Sequence, residues 1–139
     1  MPRLTQWYLR AALLYLVLAL LTGAILAART ILGLPSYVVK LQPVFFHLFM
    51  VGWVTQLIFG VVYWMFPKYS SDRPYRSEVI AWSTFLTLNL GLLMRAFVEP
   101  LLSSADAPLV DWLSVLSALL QLMSGIGFVF NTWSRVKAR

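Results

Sequence analysis

Residues 41–66 run without a single Asp, Glu, Lys or Arg, and nothing else in the chain so narrows what it can fold into. As a helix this run of about 26 residues is roughly 39 Å long, enough to cross the ~30 Å hydrocarbon core of a bilayer with some tilt. Pro67 should end it, because proline cannot continue a helix. Three further runs are strongly apolar with one charged residue each, and the pattern predicts helices over residues 7–28, 41–66, 79–98 and 110–133. Arg3 and Arg10 precede the apolar core 11–28 of the first helix as in a signal peptide, but that run is long for one and is read as a span. Connections of roughly 10 to 13 residues leave no room for a soluble domain, so residues 1–139 are expected to form one four-helix transmembrane domain, an all-α membrane fold.

Composition agrees: 60% of the residues are hydrophobic and 12% charged, against about 25% charged in soluble domains. The net charge of +6 would point to nucleic acid in a soluble chain, but here the charges flank apolar runs, and no nucleic-acid partner is expected. The absence of cysteine excludes disulfides, thiolate metal sites, iron–sulfur clusters and covalent c-type haem. Arg3, Arg10, Lys68, Arg73, Arg76, Arg135, Lys137 and Arg139 fall on one side of the predicted spans, and only Arg29, Lys40 and Arg95 on the other. The positive-inside rule therefore makes both termini cytoplasmic. The segment 99–110 carries acids and no base, as an exported loop should.

Ionisable side chains within a span are costly and mark function. His47, the chain's only histidine, lies six residues into the second run, about 9 Å below its outer end. At 100° per residue its face continues through Val51, Val54 and Ile58, slim and β-branched, a wall against which a flat apolar macrocycle could stand. Gly52, Gln56 and Gly60 form the opposite row, suited to close helix contact. Met50 points away from His47 and reads as packing, and a purely interhelical hydrogen bond from His47 is the competing reading.

The stretch 46–67, opening Phe46-His47-Leu48-Phe49-Met50-Val51-Gly52-Trp53 and closing Tyr63-Trp64-Met65-Phe66-Pro67, resembles the second helix of subunit I in the haem-copper oxidase superfamily, especially its small four-helix bacterial relatives. The stretch 89–100, with Asn89-Leu90-Gly91 and Arg95-Ala96-Phe97-Val98-Glu99-Pro100, extends the likeness to the third helix. The resemblance implies one four-helix arc of the oxidase fold in a bacterial inner membrane. It also implies His47 as axial ligand of the iron of a haem b, lined by Val51, Val54 and Ile58. One histidine cannot supply two haems and a copper, so no copper is expected, nor oxygen or nitric oxide reduction by this chain alone.

Arg95 lies at about the depth of His47. It either snorkels and pairs with Glu99 at i+4 or grips a haem propionate, for which its fork of donors is suited. Asn89, Gln56 and Gln121 read as interhelical hydrogen-bonding groups, and Trp7, Trp64, Trp112 and Trp133 as interfacial belts. The leading expectation is a haem protein of electron transfer or of haem and gas handling. It would be a homo-oligomer, a dimer sharing one haem or a trimer, in contact with lipid and with respiratory-chain subunits. The alternatives are a cofactor-free membrane subunit or assembly factor, and a small oligomeric channel or transporter lined by Gln56, Asn89 and His47.

Overall fold

The computed structural model describes residues 1–102 and 108–136. Lys137 and Arg139, counted above among the bases on one side of the spans, lie outside them. Four helices are long and apolar enough to cross a membrane: α1 (Arg3–Ala28), α2 (Ser36–Met65), α3 (Glu78–Leu102) and α4 (Pro108–Arg135, its last turn a 3₁₀ turn). Among the described residues there is no strand. Most apolar side chains of the spans face outward, as in Leu13, Leu20 and Ile25 of α1 and Leu119, Leu122 and Ile126 of α4. That distribution is the reverse of a soluble bundle and suits lipid as the surrounding solvent. Trp7, Trp64, Trp112 and Trp133 are all exposed, as interfacial side chains should be.

Each helix packs against the next in chain order. The α1–α2 and α3–α4 contacts are the most extensive, and α1 makes no close backbone approach to α4 among the described residues. The arrangement is an open row rather than a closed ring. One core cluster lies toward the Lys68–Arg76 end of the bundle, around Leu4, Tyr8, Phe59, Tyr63 and Leu88, and the other toward the opposite end, around Tyr15, Ala19, Val44, Leu48 and Leu92. Phe59 of α2 and Phe128 of α4 stack with ring centroids 3.7 Å apart.

The helix ends differ by more than two residues from their sequence expectation in three places, one being α2, which opens on a 3₁₀ turn at Ser36 rather than at 41. α1 begins at Arg3, because Leu4, Thr5 and Tyr8 are buried and hold its first turn in the bundle. α3 continues through Pro100 to Leu102. The proline removes one bond, to the Ala96 carbonyl, in the last turn only, and that turn is held in place by buried Val98, by the ion pair of Glu99 with Arg95 and by its contact with His47. Between α1 and α2 the chain turns at Gly33, whose φ of 60° is open to glycine without strain. Phe66 is extended before Pro67 and ends α2 where expected.

α2 is composite. A 3₁₀ turn (Ser36–Leu41) leads into an α segment (Gln42–His47), then a π-helical stretch (Leu48–Thr55), then α again (Gln56–Met65). The Thr55 hydroxyl donates to the Met50 carbonyl at 2.8 Å, a spacing of five residues that matches the widened turns. An α-helical projection from His47 therefore loses register within one turn. Val51 packs against both core clusters, Val54 is half-buried and Ile58 is exposed, so the three do not share one environment.

The expected glycine row is the α1–α2 seam. A Cβ at Gly52 would lie 2.8 Å from Tyr15 Cβ, and one at Gly60 2.9 Å from Tyr8 Cβ, so only glycine allows this approach. Gln56, fully buried between them, exchanges amide hydrogen bonds with Asn89 of α3 at 3.2 and 3.3 Å, and the Tyr15 hydroxyl donates to the same Asn89 oxygen at 3.0 Å. These two amides join three helices at mid-membrane.

Arg135, counted above among the bases of the C-terminal tail, is 1% exposed. It donates to the carbonyls of Tyr63, Phe66 and Pro67 at 3.2, 2.9 and 2.9 Å. It thereby satisfies the orphan acceptors at the end of α2, where the helix dipole also favours a cation. Asn131 clamps the start of α3 by accepting from Ser77 N at 2.9 Å and donating to Ser77 O at 3.0 Å.

Candidate functional site

His47 ends the first α segment of α2, one turn after Pro43, and its side chain is about a quarter exposed. Pro43 sits in the first turn, where a missing N–H costs nothing. Its carbonyl lies 3.0 Å from His47 Nδ1. A carbonyl only accepts, so this bond places the proton on Nδ1, and in the neutral ring the lone pair stays on Nε2.

A second group stands beside the same nitrogen. Glu99 Oε2 of α3 is 3.1 Å from Nδ1, and the Glu99 side chain is only 7% exposed. The directed bond of Nδ1 goes to Pro43, and Oε2 forms none of its own, so Glu99 acts on the imidazole chiefly through its charge. Glu99 Oε1 accepts from Arg95 Nε at 2.9 Å. Arg95 Nη1 reaches across to α4, donating to the Ser114 carbonyl at 3.2 Å and the Ser114 hydroxyl at 3.0 Å. An imidazole, a carboxylate and a guanidinium thus form one chain over α2, α3 and α4.

The i+4 pairing of Arg95 with Glu99 read from the sequence is present. The link from Glu99 to His47 was missed, since it joins residues far apart in sequence. Its one signal was an acid beside Arg95 at the depth of the histidine. Arg95 is turned toward Glu99 and Ser114, Asn89 and Gln56 pair with each other, and Met50 points outward.

Beside His47 is an apolar groove of about 500 Å³ bordered by Val39, Pro43 and Phe46, with Lys40 and Gln42 as its polar edge. It is open to the bundle surface. A larger cavity of about 880 Å³ lies along α4 near Phe59 and Trp133 and contains no histidine, carboxylate or methionine. The chemistry therefore belongs to the smaller groove, whatever the volumes. Among the described residues no three His, Cys, Asp or Glu side chains gather as a metal cage. The donor set fits one axial bond to a haem iron, from Nε2 of an imidazole whose other nitrogen is already held, and does not fit a second.

No protein-family model, curated protein or solved structure matches this chain.

Proposed function

We propose that this chain is a membrane-embedded haem b protein of the haem-copper oxidase type, with His47 Nε2 as axial ligand. The observation that carries the reading is the imidazole itself. Nδ1 is bonded to a carbonyl and flanked by a buried carboxylate, while the ring borders an open apolar groove. A histidine whose role is only to hold helices together would spend both nitrogens, or leave the second to lipid at a cost. Bound haem would supply the redox-active iron, and the protein would supply one axial nitrogen and an apolar wall.

The groove has one side, so a second copy of the chain completes it. A two-fold axis near His47 would bring two imidazoles to one iron, the ligation suited to electron transfer, while a trimer would leave a sixth position open to a gas. The self-paired amides of Gln56 and Asn89 speak against the channel reading, since neither is left to line a path.

A second reading has its own observation. The His47–Glu99–Arg95–Ser114 chain ties three helices together, as a cofactor-free subunit or assembly factor of a respiratory complex would use it. Absorption spectra of the purified protein, oxidised and dithionite-reduced, separate the two. A Soret band lost in His47→Ala supports the haem, and a colourless protein from haem-replete cells refutes it. Native mass spectrometry then gives half a haem per chain for the shared dimer or one per chain for the trimer.

A further inference from the structure

The larger groove follows α4 along the end of the bundle that carries Lys68, Arg73 and Arg76. The stacked rings of Phe59 and Phe128 form part of its wall, and Leu122, Ile126 and Val129 extend the apolar lining along α4. It runs from Gln121 to Trp133, about 18 Å at 1.5 Å per residue. One leaflet of hydrocarbon is about 15 Å deep, so the groove is as long as one leaflet is thick.

Its water-side end carries a single cation. Arg76 is exposed, and its guanidinium is set 4.0 Å over the Phe130 ring. Among the described residues no carboxylate lies within ion-pair distance of it. Trp133, three-quarters exposed, marks the same level as an interfacial side chain.

We propose that this groove holds one anionic phospholipid, with an acyl chain along α4 and the phosphate on Arg76. The charge complement and the one-leaflet length both call for an amphiphile with a negative head. A second copy packed across the groove by a two-fold axis would instead set Arg76 against its own copy, two like charges beside apolar surface. A zwitterionic lipid offers the same chain but no net charge to answer the guanidinium. The site shares no residue with the groove of His47, so it stands or falls apart from the haem.

Gly125 allows a clean test, because a Cβ there meets nothing within 4 Å. A larger side chain fills the groove without disturbing the helices. The full chain, purified in detergent, is titrated in native mass spectrometry with phosphatidylglycerol and with phosphatidylcholine of the same acyl chains. One phosphatidylglycerol should be retained in preference to phosphatidylcholine. Arg76→Gln should weaken it about fivefold, the effect of one arginine near a charged surface. Gly125→Leu should abolish retention with the helical circular dichroism unchanged. Equal retention of both lipids overturns the proposal, and so does phosphatidylglycerol held undiminished by Gly125→Leu. Conversion of an oligomer to a monomer by Gly125→Leu overturns it too, by assigning the groove to a second copy. Should Gly125→Leu fail to fold, Arg76→Gln decides the matter by the ratio between the two lipids.

Discussion

The α3–α4 contact closes on Gly91. A methyl group there would lie 2.9 Å from the Ser117 carbonyl oxygen, 3.0 Å from Gln121 Cγ and 3.1 Å from Leu120 Cβ. Ordinary contact begins at 3.4 Å, so the methyl sits about 0.5 Å too close to main chain. The Gln121 side chain can rotate away, whereas the carbonyl moves only with its helix. Overpacking of this kind costs about 1–3 kcal/mol, and alanine returns about 1 kcal/mol of helix propensity over glycine. Gly91→Ala should therefore destabilise by up to about 2 kcal/mol net. Gly125→Ala is the matched control, because its methyl meets nothing and only the propensity gain of about 1 kcal/mol remains. Unfolding of both variants in mixed micelles of rising dodecyl sulfate fraction, followed by helical circular dichroism, compares the same chemical change at two sites. Gly91→Ala more stable than wild type, or both variants moving in one direction, would refute the close-contact argument.

Asn89→Leu strips Tyr15 and Gln56 of their shared acceptor and should cost about 1–3 kcal/mol in the same assay. Adding Gln56→Leu should recover part of it, and a strictly additive double variant would show that the two amides act independently. Arg135→Leu leaves three carbonyls at the end of α2 without their donor. Hydrogen exchange should rise in the last turn of α2, and Arg135→Lys should not restore protection, because an ammonium lacks the planar fork. An unchanged exchange pattern would remove the capping role. Because the chain has no native cysteine, Ser70→Cys and Ser103→Cys report orientation directly. Impermeant maleimide on intact cells should label position 103 and spare position 70, and the opposite pattern would invert the assigned topology.

The spans were legible because lipid asks so much of a sequence: long uncharged runs, prolines at their ends, tryptophans at their rims. The Gly52–Gln56–Gly60 row was legible for the same reason, as small and polar residues at one spacing in an apolar run have few other uses. Details set by tertiary contact were hidden. The π-helical stretch Leu48–Thr55 has no composition signal, and projecting it as an α-helix put Val51 on the wrong face, away from the core clusters it packs against. The expected end of the third helix at residue 98 fell short, since α3 runs on through Pro100 to Leu102, where the contacts of Glu99 with Arg95 and His47 hold the turn. Arg135 looked like one more tail base, and only the position of α2's last carbonyls shows that it is a cap.

The three-helix amide knot also bears on how the chain is made. Translated in order, α1 and α2 emerge first, and α3, which holds Asn89, Arg95 and Glu99 within or near its apolar stretch, is the least apolar of the four. Alone at a translocon, such a segment would be the slowest to leave the aqueous channel, because each polar side chain raises its cost of partition. The hydroxyl of Tyr15, the amide of Gln56 and the imidazole of His47 are by then already in the membrane on the two preceding segments. Its partners wait for it there, and the most reluctant segment enters lipid with its polar groups received by hairpin α1–α2 instead of facing hydrocarbon bare.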